Sequence, residues 1–75
     1  MNEKNIVLNS VEAAKEFVKA ASECDFDIDV CFNRIALDAK SLLGILSLDL
    51  RNQLRVCYSG ENVGFNTVLA KYAVQ

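Results

Sequence analysis

The sequence contains no histidine, and this absence excludes several kinds of chemistry. There is no imidazole to serve as a general base near neutral pH, to carry a phosphoryl group, or to bind zinc in the usual enzyme sites. The chain also lacks a run of basic residues, and 8 Lys and Arg stand against 10 Asp and Glu, for a net charge of −2. Nucleic acid is therefore not an expected partner, because binding to phosphates depends on clustered cations.

Long apolar runs and regularly spaced cysteines are also missing. No stretch approaches the roughly 18 apolar residues of a membrane span, and residues 1–5 lack the basic start and apolar run of a signal peptide. Cys24, Cys31 and Cys57 fit neither a closed disulfide framework nor a Cys-x-x-Cys metal site. We expect reduced thiols, no metal or other cofactor, no membrane association and a cytoplasmic location.

The overall amino-acid composition is that of a small folded domain. Hydrophobic residues make up 52% of the 75 residues and charged residues 24%, which is too apolar for disorder. The length predicts one domain over residues 1–75. We expect no enzymatic activity, since neither Ser10 nor any cysteine has a histidine partner and a chain of this size has little material for a pocket.

Hydrophobic periodicity predicts seven elements in the order β-α-β-β-α-β-α. A short apolar run predicts a strand at residues 6–8, and apolar alternation predicts strands at residues 26–32, 35–37 and 54–58. Asn33-Arg34 is a two-residue turn that joins the second and third strands. An i, i+3, i+4, i+7 pattern begins at Ala14 and predicts the first helix, with Asn9 as its cap and Glu12 completing a capping box. The strand positions expected to face the helices are Ile6, Leu8, Ile28, Val30, Ile35, Leu37, Leu54 and Val56.

The remaining helices are predicted by the same spacing. Ser41 begins the second helix, which places Leu42, Ile45 and Leu46 on one face, and Gly44 within it indicates close packing or an open surface. The last helix contains Phe65, Val68, Leu69 and Tyr72. The order of elements favours a two-layer α+β domain, in which a four-stranded antiparallel sheet carries the helices on one face.

Residues 38–48 (Asp-Ala-Lys-Ser-Leu-Leu-Gly-Ile-Leu-Ser-Leu) resemble the Lys-Ser-Ile-Met-Gly-x-Met-Ser-Leu segment of HPr, the small phosphocarrier family of the bacterial sugar phosphotransferase system. Residues 13–22 are similar to the first helix of that family, and residues 25–28 to the start of its second strand. The resemblance implies an open-faced β-sandwich of order βαββαβα, in agreement with the periodicity.

The resemblance fails at the phosphocarrier site. HPr proteins carry a catalytic histidine in a His-Ala-Arg-Pro-Ala motif, and here Ser10 stands at the histidine position, Glu12 at the arginine position and Ala13 at the proline position. Relay requires a labile phosphoramidate and a nearby cation. A serine ester is too stable to pass on its phosphate, and Glu12 would repel it. The sequence therefore predicts no relay, with phosphate acceptance at Ser10 as an alternative that a transfer assay would detect.

A second family site is retained. In Gram-positive HPr proteins and in their histidine-lacking Crh paralogues, the serine that matches Ser41 is phosphorylated by an HPr-type serine kinase, and the product binds a LacI-type catabolite regulator. The resemblance thus makes Ser41 a phosphorylation candidate and makes Lys40, Leu42, Leu43 and Leu46 partner-binding candidates. Residue type alone also allows Ser41 to be a simple helix cap and the leucines to be core. A further alternative is a constitutive interaction or homodimer patch formed by the leucines.

Two other motifs predict structure rather than sites. Asp25, Asp27 and Asp29 have the spacing of calcium ligands, but the glycine and terminal glutamate of a calcium loop do not follow. Because Phe26 and Ile28 alternate with them, we expect a strand with a solvated acidic face. Residues 59–64 contain two glycines without the lysine of a phosphate loop, and are expected to form a turn.

Overall fold

A computed structural model describes residues 1–74 as a four-stranded sheet with three helices. The strands are β1 (Asn2–Ile6), β2 (Ile28–Phe32), β3 (Ile35–Asp38) and β4 (Leu54–Tyr58), and the helices are α1 (Val11–Ser22), α2 (Leu42–Leu46) and α3 (Val63–Tyr72). This order confirms the predicted βαββαβα arrangement and its α+β class. None of the helices within residues 1–74 has the length and apolarity that crossing a bilayer requires.

The sheet has the order β1-β4-β2-β3, and every neighbouring pair is antiparallel. Val30 of β2 lies opposite Val56 of β4 on one side and opposite Leu37 of β3 on the other. Residues directly opposite one another share a face, so these apolar side chains point together toward the helices. The other face of the sheet is more polar, with Asp29 opposite Cys57.

The core between the sheet and the helices is held by apolar contacts. Phe17 of α1 and Phe65 of α3 are fully buried, with ring centroids 5.8 Å apart, and Tyr58 of β4 meets Phe65 edge-on at 5.5 Å. No polar or charged residue is buried in the part of the chain that the structure describes. Each aromatic pair contributes about 0.5–1.5 kcal/mol beyond the area that it buries, so these rings join α1, α3 and the sheet.

The first two strands begin at residues other than the predicted ones. β1 spans Asn2–Ile6 rather than residues 6–8. It is an edge strand that is held by backbone pairing with β4, and Ile6 is its only buried side chain. The apolar pattern of the sequence therefore does not show where this strand begins and ends. Leu8 is buried as predicted, but it lies beyond the strand. β2 begins at Ile28 rather than at Phe26.

The third strand is correctly placed, but its side chains are not core. Ile35 is 49% exposed and Leu37 is only half-buried. β3 is the outer strand next to β2, so helices cover it poorly, and apolar alternation does not reveal which strand lies at an edge. The turn at Asn33 is confirmed, since Asn33 has a φ of 55°. Asp25, Asp27 and Asp29 are all exposed, and no cluster of three possible metal ligands occurs within residues 1–74.

A close approach between Gly60 and Phe26 generates a stability prediction. A Cβ atom at Gly60 would overlap the Phe26 ring, whereas one at Gly64 would meet only Asn62 Oδ1, at 3.3 Å. We expect Gly60→Ala to lower the free energy of unfolding by about 1–3 kcal/mol, since the ring must leave its site. Gly64→Ala, the matched control in α3, is expected to change the free energy of unfolding by less than about 1 kcal/mol, because its Cβ would meet only the cap oxygen Asn62 Oδ1. Urea titration measures both values, and equal stabilities of the two variants would contradict the prediction.

Candidate functional site

Ser10 begins α1 as its N-cap. Its backbone is extended (φ −154°, ψ 163°), and its Oγ accepts a hydrogen bond from the Ala13 N–H at 3.1 Å. The predicted cap at Asn9 is therefore wrong. Asn9 has a left-handed φ of 68°, whereas a cap residue requires extended backbone. With Ser10 as the cap, Glu12 is the second helical residue instead of the third, and the predicted capping box does not form.

The surroundings of Ser10 offer no general base. Ser10 and Glu12 are exposed, and Val11 is 46% exposed. The Ser10 hydroxyl has the Ala13 N–H as its hydrogen-bond partner, and no side chain within residues 1–74 accepts its proton. This geometry stabilises the start of a helix, and it does not activate an oxygen nucleophile.

Ser41 has the same role at the start of α2. Its Oγ accepts a hydrogen bond from the Gly44 N–H at 3.2 Å, and its own N–H donates to the Asp38 carbonyl at 3.0 Å. The side chain is exposed. A Cβ atom at Gly44 would lie 3.2 Å from Ser41 Oγ. Ala13 holds the same position relative to the Ser10 cap, so the cap does not itself require a glycine here.

Lys40 is adjacent to Ser41 in sequence, but its charge is directed elsewhere. The Lys40 Nζ donates to the Cys24 carbonyl at 3.0 Å, and the Lys40 backbone N–H donates to Asp38 Oδ1 at 2.9 Å. Cys24 lies just past the end of α1, where carbonyls attract cations. An anion on Ser41 would therefore compete with a carbonyl for this ammonium group.

The three candidate leucines of α2 differ in exposure. Leu43 is 83% exposed, whereas Leu42 and Leu46 are half-buried and pack against the core. Ile45 is fully buried. The helical spacing predicted this division, because Leu42, Ile45 and Leu46 share one face. Leu43 is therefore the candidate best placed to contact a partner.

The two capping serines lie at opposite ends of an antiparallel helix pair. Lys40, just before α2, contacts Cys24 beyond the end of α1, and the Asn9 N–H, just before α1, donates to the Leu50 carbonyl beyond α2 at 3.1 Å. α1 has 12 residues and is about 18 Å long at 1.5 Å per residue. Ser10 and Ser41 therefore form two separate sites.

One charged pair near these helices was not singled out from the sequence. Asp49 Oδ1 and Oδ2 accept hydrogen bonds from the Arg51 guanidinium at 3.0 and 2.9 Å. The Arg51 side chain and backbone lower the pKa of Asp49 to about 2. The only sequence signal is an acid two residues before a base, which is too common to be informative. The ion pair lies at the surface beside Leu50, with the Arg51 side chain 85% exposed.

The chain matches the PTS-HPr family, described as "PTS HPr component phosphorylation site", over residues 10–62. The match covers more than half of the chain and includes both capping serines, so the protein belongs to the HPr family of the phosphotransferase system. The crystal structure of HPr-C-His from Thermoanaerobacter tengcongensis is similar in fold, with a TM-score of 0.75 and 24% sequence identity over 95% of this chain and 89% of that one. No curated protein matches the sequence.

The cap at Ser10 predicts a difference between two substitutions. Ser10→Ala removes the acceptor for the Ala13 N–H, and should lower the free energy of unfolding by about 0.5–2 kcal/mol. Ser10→Asp keeps an acceptor at the positive end of the helix dipole, and should remain close to wild type. Thermal and urea unfolding measure both. If the two variants lose equal stability, the hydroxyl is not acting as a cap.

Proposed function

We propose that this HPr-family protein has no phosphocarrier activity and acts as a regulatory or adaptor module, switched by phosphorylation of Ser41. The observation that carries the proposal is the exposed Ser41 hydroxyl at the start of α2, two residues from the largely exposed Leu43. An accessible hydroxyl beside an apolar side chain gives a kinase an acceptor and gives a partner a surface that phosphate can alter. The protein needs no cofactor for this role.

The loss of relay follows from the chemistry at Ser10. The chain has no histidine, and the family resemblance places Ser10 and Glu12 at the histidine and arginine positions. A phosphate ester on Ser10 would be too stable for onward transfer, and the exposed carboxylate of Glu12 would repel the donor phosphate. The hydroxyl is also engaged with the Ala13 N–H and has no base to activate it.

Phosphorylation would change the charge at the start of α2 without disturbing the core. A phosphoserine carries about −1.5 to −2 charges at neutral pH, and the Gly44 N–H that now binds the hydroxyl could donate to a phosphate oxygen. Lys40 is the neighbouring cation, provided that it leaves the Cys24 carbonyl. The phosphate would then lie beside Leu43, so a partner could recognise the charge and the apolar side chain together.

Protein partners are the ligands that fit this surface. HPr-family proteins act by contacting other proteins, and the resemblance around Ser41 suggests an HPr-type serine kinase and a LacI-type catabolite regulator. In this arrangement Leu43 would be the main apolar contact. Leu42 and Leu46 would contribute the exposed parts of half-buried side chains, and Lys40 would contribute charge.

The kinase assay separates the regulatory role of Ser41 from its capping role. We expect one added phosphate, by intact mass, after incubation with ATP and an HPr-type serine kinase. Ser41→Asn should remain unmodified although it keeps an acceptor for the cap, so its stability controls for unfolding. Ser47→Ala, which removes another exposed hydroxyl at the end of the same helix, should still gain the phosphate. An unmodified wild-type protein would contradict the proposal.

A constitutive interaction is the second candidate, because Leu43 is already 83% exposed in the unmodified protein. The partner in this case is a second copy, joined through Leu43 with the edges of Leu42 and Leu46. Sedimentation at increasing concentration should then show a dimer that Leu43→Asp weakens by about tenfold or more, as expected for an interface hot spot. Val63→Asp, at an equally exposed position in α3, should leave it intact. A strict monomer at all concentrations would exclude this candidate.

A further inference from the structure

Cys31 and Cys57 lie together on the face of the sheet that the helices do not cover. In the pairing of β2 with β4, Cys31 is opposite Arg55 and Asp29 is opposite Cys57. Residues directly opposite share a face, and the two cysteines are therefore diagonal neighbours on the two central strands. Both are free thiols and both are partly exposed. The open face thus carries an accessible dithiol that the proposed function does not use.

Arg55 lies close to both sulfurs. It is directly opposite Cys31 in the pairing of β2 with β4, and the Cys31 side chain raises the pKa of Arg55. Burial, the neighbouring Cys31 and the carboxylate of Glu3 raise the pKa of the Cys57 thiol, and the opposing effect of Arg55 does not cancel this rise. A cation directly opposite Cys31 can stabilise the negative charge on its sulfur during attack on a disulfide. Position therefore makes Cys31 the candidate for the attacking thiol, and Cys57 the second thiol close to it.

A polar depression adjoins Cys31. Its volume is about 380 Å³, and it is lined by Asn5, Cys31, Phe32, Asn33, Gln53 and Arg55. The amide side chains and the guanidinium can donate several hydrogen bonds, and Arg55 provides the positive charge. The depression therefore favours a small, anionic and hydrogen-bonding molecule next to the sulfur.

We propose that Cys31 and Cys57 form a redox-active pair that reacts with anionic low-molecular-weight disulfides. The Cys31 thiolate attacks one sulfur of the external disulfide, so that an S–S bond to Cys31 forms and the external S–S bond breaks. One external thiolate leaves. The Cys57 thiolate then attacks Cys31, which forms the Cys31–Cys57 disulfide and releases the second external thiolate. The protein loses two electrons, and its two thiol protons go, by way of water, to the two external thiols.

The position of the pair predicts that its disulfide is easily reduced. Diagonal neighbours on antiparallel strands are about 7–8 Å apart, and unstrained disulfides require Cα separations below about 7 Å. Closing the bond must therefore draw β2 and β4 together locally. Strained disulfides are stronger oxidants and more labile than structural ones, which suits a reversible modification.

Cys24 provides an internal control for reactivity. It is 5% exposed, and its Sγ–H donates to the Ala20 carbonyl. Burial raises its pKa. A buried thiol of this kind reacts only when the surrounding structure opens. Modification of Cys24 therefore reports opening of the core and is separate from the chemistry of the open face.

The test uses the reduced protein, oxidised glutathione as the probe, acid quenching and peptide mapping by mass spectrometry. Wild type should lose two hydrogens and carry a Cys31–Cys57 cross-link, with Cys24 still free. Cys57→Ser should accumulate one glutathione on Cys31, and Cys31→Ser should react at least about tenfold more slowly. If Cys24 and Cys31 of the wild-type protein react with oxidised glutathione at equal rates, the proposal is wrong, and no variant is needed to show it. A mixed disulfide in wild type that never resolves would also overturn it.

The role of Arg55 is tested by comparing an anionic disulfide with a cationic one. Wild type should react faster with oxidised glutathione than with cystamine, and Arg55→Gln should reduce that preference severalfold. Lys15→Gln removes the same charge from an exposed position on α1 and should leave the preference unchanged. If wild type and Arg55→Gln prefer oxidised glutathione over cystamine to the same degree, the depression beside Cys31 is not an anion site.

Discussion

The register between β2 and β4 determines the character of both faces of the sheet. It sets Val30 opposite Val56 beneath the helices and leaves Cys31 and Cys57 on the open face. A shift of one residue in either strand would exchange those faces. α1 and α3 could then no longer pack Phe17 and Phe65 on an apolar surface. The helix layer that carries both serines therefore depends on this pairing.

Ser10 and Ser41 have the same structural role, so their difference lies in what surrounds them. Each hydroxyl accepts a backbone N–H three residues along its helix. The carboxylate of Glu12 lies two residues after Ser10, whereas the exposed apolar side chain of Leu43 lies two residues after Ser41. Capping alone thus indicates no function at either serine. The proposal of a regulatory phosphate at Ser41 rests on these neighbouring side chains.

The order of elements and the central packing could be predicted from the sequence, but the edges could not. Alternation and helical spacing report which side chains are apolar, and this was sufficient for Val30, Val56 and Phe17. They do not report that β3 is an outer strand, so Ile35 was wrongly assigned to the core. Asn9 and Ser10 are both good cap residues, and the backbone φ of Asn9 decided between them. The contact of Lys40 with the Cys24 carbonyl joins residues 16 positions apart, and no local pattern contains it.

The phosphocarrier site and the fold are physically separable in this protein. Ser10 and Glu12 are exposed, and the buried side of α1 begins at Ala13 and continues through Ala14 to Phe17. A serine at position 10 retains the cap, so the absence of a histidine there leaves the helix start intact. The buried core of this HPr-family domain therefore does not determine which residues stand at the exposed positions 10 and 12. Family membership establishes the architecture, while the chemistry depends on exposed side chains that can change independently of it.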